Sequence, residues 1–319
     1  MLEGSVRKAG TNLRINVQLI DAASDSQLWS HKFSGATDDI FGVQEAIARE
    51  IARALDLTLS SAEDRSLSAR SFRDVRTYDL YLQARALMWR FDNKSTTEAH
   101  PLLTKAQELE GENAALLALT GHMLISTLVF GLSTDTSLRR QVSDLAARII
   151  EIVPDSADGH YLMGMLAYDS GDLQGANHRL KQALACNRNH TESLAWIANV
   201  CLHAGRTDAT RIWADALRAV DPLATFGWVP AAFAESFDGR FARGVELMAR
   251  AVELQSGGLF PRWQSGYSFA LKGDLTEAAR QWHANGSPRR FRCSSTATSR
   301  SISRKLTLSQ EIRSKRSRW

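Results

Sequence analysis

The sequence predicts a mainly α-helical protein, an α-solenoid of helical hairpins preceded by a small, partial α/β segment. Two observations lead to this prediction. Gly171, Gly205, Gly239 and Gly273 follow one another at a constant spacing of 34 residues, and a repeat of this length is typical of stacked helical hairpins. Near the N-terminus the period changes to strict alternation of apolar and polar residues, which indicates β-strands.

Three strands are predicted before the repeats, at residues 4–7, 12–21 and 27–33, followed by one helix that Thr37 or Asp38 caps. The run 13–20 alternates between apolar and polar side chains, so it has one buried face. The helix carries apolar residues at spacings of three and four, namely Ile40, Val43, Ile47, Ile51 and Leu55. It is expected to cover the apolar face of a three-strand antiparallel meander.

The repeat itself has small residues at two fixed positions. Counted from Ala157 as position 1, positions 8 and 20 hold Gly164 and Ala176, Ala198 and Thr210, Ala232 and Gly244, and Gly266 and Ala278. Small residues let two antiparallel helices approach closely, and larger residues such as Leu180 and Met248 at position 24 fill the space between them. The repeated glycine ends the first helix, and Pro154 and Pro222 end second helices.

This pattern resembles the tetratricopeptide repeat family, strictly over about 155–286 and more loosely over 77–154. The tryptophan that the family carries near position 4 occurs here as Trp228, whereas the other units hold His160, Leu194 and Arg262. The resemblance implies a scaffold that binds a protein or peptide on its concave face. A non-repetitive helical bundle is the alternative interpretation.

The N-terminal segment resembles the end of the TolB-like N-terminal domain of bacterial signalling proteins. The resembling residues are Leu-Glu-Gly-Ser-Val-Arg at 2–7, Val-Gln-Leu-Ile-Asp-Ala at 17–22, Leu28-Trp29, and Asp39-Ile40-Phe41. The family has a strand and helix region before this point, so the resemblance implies a partial domain. In that family, this domain and tetratricopeptide repeats often follow an adenylate or guanylate cyclase domain, and in other members a winged-helix domain or a protein kinase.

Four segments are expected: the partial TolB-like domain 1–60, a linker 61–76, the helical repeats 77–286, and a basic tail 287–319. The tail holds ten Lys and Arg and one Glu (+9), while the remainder holds 29 basic and 34 acidic residues (−5). The basic charge of the whole chain therefore does not predict a nucleic-acid-binding domain. The tail itself is interpreted as a disordered segment, a product of a frameshift, or a basic arm for nucleic acid.

Several classes of chemistry have no signature in the sequence. There is no glycine-rich phosphate loop, no Gly-x-Ser-x-Gly elbow and no closely spaced histidine pair, so no catalytic residue, cofactor or metal site is predicted. The three cysteines lack paired spacing, and the N-terminus lacks the features of a signal peptide, which favours a cytoplasmic protein. The apolar stretch 114–130 is expected to be a buried repeat helix rather than a membrane span.

Candidate binding residues are those at first-helix positions that line the concave face in this fold. They are Tyr161, Tyr168, Asn199, His203, Phe233, Phe237, Trp263 and Tyr267. Aromatic side chains on such a face favour an interface with anchor residues, although they could instead pack against a continuation of the solenoid. A clamp for a terminal carboxylate is not predicted, because Asn199 alone matches it.

Three hypotheses for function follow. The first is a non-catalytic scaffold, the regulatory or sensor portion of a bacterial signalling protein, whose partner is a protein or peptide of unknown identity. The second is a remnant of an adenylate or guanylate cyclase, or of a winged-helix regulator, whose output domain is absent from this chain. The third is a periplasmic module for small molecules, against which the missing export signal counts.

Overall fold

The computed structural model describes residues 1–21, 23–58, 72–88, 93–255 and 259–283. Most of the predicted linker 61–76 and the whole of the predicted tail 287–319 lie outside the described residues. The chain divides into two compact units. The first contains Met1–Leu80 and Ala106–Asn113, and the second contains Tyr81–Lys105 and the described residues from Ala114 onward.

The first unit is built on an antiparallel sheet of β1 (Leu2–Ala9), β2 (Asn12–Asp21) and β3 (Ser26–Ala36), in that order. The predicted meander is confirmed, and β2 has the predicted bounds. The outer strands are longer than the predicted 4–7 and 27–33. Ala9 of β1 and Ala36 of β3 both lie opposite Asn12 of β2, so the pairing continues beyond the predicted strand ends.

Helix α1 (Ile40–Ala54) covers one face of this sheet. Its Val43 packs with Val17 of β2 and Phe33 of β3 in a small apolar cluster. Neither Thr37 nor Asp38 caps this helix as predicted, because Thr37–Asp39 form a 3₁₀ turn and Asp39 occupies the position before the first helical residue.

Thirteen α-helices lie within the described residues. Helices α2 (Val75–Met88) and α3 (Asn93–Glu110) each belong partly to both units. Five hairpins follow: α4 (Ala114–Val129) with α5 (Ser137–Ile152), α6 (Ala157–Asp169) with α7 (Leu173–Cys186), α8 (Thr191–His203) with α9 (Thr207–Val220), α10 (Val229–Phe237) with α11 (Phe241–Leu254), and α12 (Leu259–Lys272) with α13 (Leu275–His283).

The repeated glycines, small residues and prolines occupy the turns, helix crossings and helix ends that the sequence predicts. The four glycines spaced by 34 residues have φ values of +86°, +75°, +85° and +93°, a left-handed conformation that few other residues adopt easily. A Cβ atom on Gly164 would lie 3.0 Å from Cγ of Leu180, so a small residue is needed where α6 and α7 meet. Second helices end at Ile152 and Val220, two residues before the prolines.

The core of the helical array consists of side chains from successive hairpins. Leu162, Leu180 and Ile197 are fully buried within one apolar cluster that also contains residues of α4 and α5. Each hairpin therefore buries its apolar face against its neighbours, as expected of a solenoid. In the described part of the chain, no helix has the length and apolarity that crossing a bilayer would require.

Candidate functional site

The first helices of the five hairpins form one face of the helical array, called here the inner face. Each of α4, α6, α8, α10 and α12 contacts the next in this series. Phe130, just after α4, reaches Phe260 in α12 with 6.1 Å between ring centroids, although three hairpins separate them in the sequence. The inner face is therefore concave, as predicted for this fold.

Three adjoining spaces follow the inner face and together are called here the inner groove. The polar pocket has a volume of about 220 Å³, the narrow passage about 20 Å³ and the second pocket about 400 Å³. His122 and Glu192 line both the polar pocket and the passage, whereas Ala195 and Phe226 line both the passage and the second pocket. The three spaces therefore adjoin one another along the inner face.

The polar pocket is lined by ionisable and hydrogen-bonding side chains from α2, α4, α6 and the start of α8. They are Arg85, His122, Asp158, Tyr161, His190 and Glu192. The Tyr161 hydroxyl is hydrogen-bonded to Nδ1 of His122 at 3.0 Å. His190 Nε2 lies 3.2 Å from Asp158 Oδ1 and 3.8 Å from Glu192 Oε2. The pocket thus offers both donors and acceptors to a ligand.

Burial controls the charges in this pocket. It lowers the pKa of His122 and raises the pKa of Tyr161 well above its usual value, so both side chains are neutral at pH 7. Burial would also raise the pKa of Glu192, but the nearby His190 imidazole and a hydrogen bond from Thr191 Oγ1 outweigh it and lower that pKa. Glu192 is therefore ionised at neutral pH.

Aromatic rings border the narrow passage. Phe130 lies 6.2 Å from Trp196, and Phe226 stacks on Phe260 with 5.4 Å between ring centroids. Leu217, Leu223 and Leu254 line the second pocket beside Phe226, together with the charged Arg85 and Asp221. The second pocket therefore offers more apolar wall than the polar pocket but is not free of charge.

Of the predicted binding residues, Tyr161 lines the polar pocket and is 2% exposed. Tyr168 is also buried, with its ring 5.2 Å from Trp196 and its hydroxyl 3.2 Å from Nδ1 of His203. The Asn199 side-chain amide donates to the carbonyl of Ala195 at 2.9 Å in its own helix. Tyr168, Asn199 and His203 do not line the three spaces of the inner groove.

The remaining predicted residues lie in the later hairpins. Phe233 is 5% exposed and its ring lies 6.2 Å from that of Phe237. Trp263 and Tyr267 form an edge contact at 4.8 Å, and Tyr267 also contacts Trp282. The structure brings these four aromatics into two packed pairs, away from the three spaces of the inner groove.

The sequence interpretation did not single out Arg85, His122 or His190 as binding residues. For His190 the 34-residue register gives a signal, because one repeat after Ala157 it places the start of a unit at Thr191, directly after His190. Its Nδ1 indeed accepts a hydrogen bond from the backbone N–H of Ser193 at 3.3 Å. Among the described residues, no group of three or more His, Cys, Asp or Glu is arranged to hold a metal ion.

Comparisons with known proteins give limited similarity. No protein-family model matches the sequence. A putative adenylate cyclase 3 from Rhizobium meliloti (strain 1021) is 29% identical over 180 residues, which cover 56% of this chain. The chain spans about 30% of the length of that relative.

Solved structures with some similarity are tetratricopeptide proteins. One from Thermus thermophilus has a TM-score of 0.48 and 16% identity, covering 61% of this chain and 97% of its own. One from Parabacteroides merdae ATCC 43184 has a TM-score of 0.42 and 11% identity, covering 66% and 78%. YrrB, described as a tetratricopeptide protein with an unusual peptide-binding site, has a TM-score of 0.38 and 14% identity, covering 57% and 90%.

The repeat pattern and the geometry of the chain identify its fold. The glycines repeat every 34 residues with left-handed φ values, and each lies between the two helices of a hairpin. Small residues stand where those helices cross, and the first helices line a concave face. The chain is therefore a mainly α-helical protein with tetratricopeptide-type repeats, preceded by a small three-strand antiparallel sheet and its helix.

Proposed function

We propose that this chain is a non-catalytic scaffold that binds an extended segment of a protein partner in the inner groove. The observation that carries the proposal is the succession of three adjoining spaces along the concave inner face: the polar pocket, the narrow passage and the second pocket. Concave sites with a few placed polar groups and an apolar wall are typical of ligand binding. Three spaces that differ in size and polarity suit a peptide whose successive side chains also differ in size and polarity.

The width of the passage favours an extended peptide over a helix. The rings of Phe130, Trp196 and Phe260 are in contact beside the passage, whose volume is about 20 Å³, whereas a helix with its side chains is about 10 Å across. An extended segment places a polar side chain in the polar pocket and a large apolar side chain in the second pocket. Tyr161, of the predicted binding residues, would contact such a segment directly.

The proposed context is the regulatory or sensor portion of a bacterial signalling protein in the cytoplasm. Two observations support it: the similarity to a putative adenylate cyclase, and the resemblance of 1–60 to a partial TolB-like domain. The partner would then be a protein segment that reports on a signal. Nucleic acid is not a proposed ligand of the helical repeats, because residues 1–286 carry more acidic than basic side chains.

The proposal is tested by selecting linear peptides from a random display library on the immobilised full chain and measuring their affinity by fluorescence anisotropy. Leu223 lines the second pocket and is 71% exposed, whereas Ile212 is 65% exposed and lies outside the groove. Leu223→Asp should weaken binding about tenfold or more, and the matched control Ile212→Asp should leave it unchanged. Equal effects of the two substitutions, or a library that yields no binder, would contradict groove binding.

A second candidate function is a remnant of a signalling enzyme or of a winged-helix regulator, with its output domain outside this chain. The observation that favours it is that the chain spans a minor part of the cyclase relative. Purified chain incubated with ATP and Mg²⁺ should form no cyclic AMP. Measurable formation of cyclic AMP would overturn the non-catalytic assignment.

A further inference from the structure

The polar pocket has two walls of different chemistry. The apolar wall comes from α2 and α4 and consists of Met88, Ala115, Ala118 and Leu119. The acidic wall comes from α6 and the start of α8 and carries the carboxylates of Asp158 and Glu192. The pocket volume of about 220 Å³ is several times the volume of about 30 Å³ that one water molecule occupies in the liquid. The pocket therefore has room for a side chain that is apolar along its length and polar at its end.

The two carboxylates of the acidic wall approach the same imidazole nitrogen. His190 Nε2 lies 3.2 Å from Oδ1 of Asp158 and 3.8 Å from Oε2 of Glu192. His190 accepts a hydrogen bond at Nδ1 from the Ser193 N–H, so its one proton is on Nε2 and the ring is neutral. The two carboxylates therefore stand close together, and the imidazole between them does not neutralise their charge.

The charges that line the polar pocket do not balance. His122 and Tyr161 are neutral at pH 7, so among the described lining residues the two carboxylates face one cation, Arg85. Arg85 is exposed and also lines the second pocket, and in the described part of the chain no ion pair joins it to either carboxylate. The side chain of Glu192 is only 19% exposed. A carboxylate with so little access to water is stabilised by a cation that contacts it directly.

Aromatic rings share the wall of the narrow passage with Glu192. Phe130 and Trp196 both line this passage, and their ring centroids lie 6.2 Å apart. The face of an aromatic ring carries negative potential, so it attracts a cation and disfavours an anion. The rings beside Glu192 therefore favour positive charge in the same place as the carboxylates do, and for a separate physical reason.

We propose that the polar pocket binds a lysine side chain of the partner segment, with the ammonium group at Glu192 and Asp158 and the methylene stem on the apolar wall. This inference rests on the peptide binding proposed above and adds the residue type that the polar pocket selects. An ammonium group has three N–H donors and no acceptor, which suits carboxylates that only accept. The two carboxylates come from different helices, so they suit a compact charge on a flexible stem better than the planar fork of arginine. An acidic or phosphorylated side chain would be repelled.

Parallel selections of random linear peptides on the full chain and on its Glu192→Gln variant test this inference. Lysine should be enriched at one position of the peptides that bind the wild type, and this enrichment should be lost on the variant. In a synthetic binder, norleucine in place of that lysine keeps the stem and removes the ammonium group. This change should weaken binding to the wild type about tenfold or more, but binding to Glu192→Gln at most about threefold. Asp158→Asn, which keeps an acceptor for His190, should also reduce the loss.

The control variant is Glu151→Gln, because Glu151 in α5 is 63% exposed and lies outside the inner groove; it should behave as the wild type. Circular dichroism should show the same helicity for all variants. Binders that are weakened by Leu223→Asp but show no preference for lysine, or prefer arginine, would overturn this inference and leave groove binding intact. A library without binders would overturn both. Loss of binding on acetylation of the peptide N-terminus, with norleucine tolerated, would assign the ammonium group to the α-amino group and overturn the assignment to lysine.

Discussion

His190 Nε2 lies 3.2 Å from Oδ1 of Asp158, so the residue before helix α8 is joined to the first helix of the preceding hairpin. The same imidazole accepts a hydrogen bond at Nδ1 from the backbone N–H of Ser193. One ring therefore caps a helix and ties two hairpins together at the wall of the polar pocket. The arrangement requires a ring with its proton on Nε2.

Replacing His190 should destabilise the helical array. His190→Ala removes the helix cap and the bond to Asp158, and we expect a loss of about 1–2 kcal/mol in the free energy of unfolding. His190→Asn keeps a capping oxygen and should lose about half as much. Urea unfolding followed by circular dichroism measures both, and His178→Ala on an exposed surface is the control. An unchanged midpoint for His190→Ala would show that the cap contributes no stability.

Stability should fall as the pH drops below about 6.5, because of His122. Burial lowers the pKa of His122 below its ordinary value of 6.5, so the unfolded chain binds more protons than the folded chain between those two values. The free energy of unfolding therefore decreases with acidification, at up to about 1.4 kcal/mol per pH unit. Asp158, Glu192, His190 and Arg85 face this side chain and modulate the effect.

The variant His122→Asn checks the assignment. Asn places a polar atom near the position of Nδ1 and can still bond to the Tyr161 hydroxyl, but it does not titrate. Urea midpoints measured from pH 7.5 to pH 5.5 should fall for the wild type and fall less steeply for the variant, in which His160, whose pKa is also lowered by burial, still titrates. Parallel curves for the two proteins would assign the pH dependence to another group.

The turn glycines are needed for their backbone conformation. Gly205 has φ of +75°, a left-handed conformation that residues with a Cβ atom adopt only with strain. Gly205→Ala should destabilise the protein by about 1 kcal/mol. Gly205→Asn should cost less, because Asn tolerates the left-handed region. Thermal unfolding of the two variants provides the comparison, and an equal loss would contradict this explanation.

The hairpins and the sheet could be predicted because their signals are local and repeated. Gly171 and Gly205 mark turns, Pro154 and Pro222 follow second helices, and each signal acts within a few residues of itself. Residues 12–21 alternate strictly, and one buried face of a sheet explains that alternation. A prediction of this kind needs no knowledge of which distant segments meet.

The polar pocket could not be predicted in the same way. It brings Arg85 of α2 together with His122, Asp158 and His190 from three different hairpins, and no spacing in the sequence encodes that meeting. The burial of individual aromatic side chains could not be predicted from the sequence either. Phe233 stands at a first-helix position expected to face the groove, yet its ring is covered by neighbouring helices.

Glu235 should stabilise the contact between the third and fourth hairpins. It is buried in α10, accepts a hydrogen bond from Arg240 Nε, and lies 3.4 Å from Nη1 of Arg211 in α9. We expect Glu235→Gln to lower the free energy of unfolding by about 1.5 kcal/mol, since a bond to a charged group is lost where water does not replace it. Glu246→Gln is the matched control, because its pair with Arg243 is exposed and should contribute less than about 0.5 kcal/mol.

The pH dependence of this difference gives a sharper test of Glu235. The hydrogen bond from Arg240 holds the pKa of Glu235 below its ordinary value of 4.5, so its stabilising effect is fully present above pH 4.5 and is lost as the pH falls through the lowered pKa. Unfolding midpoints of the wild type and Glu235→Gln should therefore differ at pH 6 and converge at strongly acidic pH. A constant difference across this range would mean that the loss comes from packing, because a packing defect does not titrate.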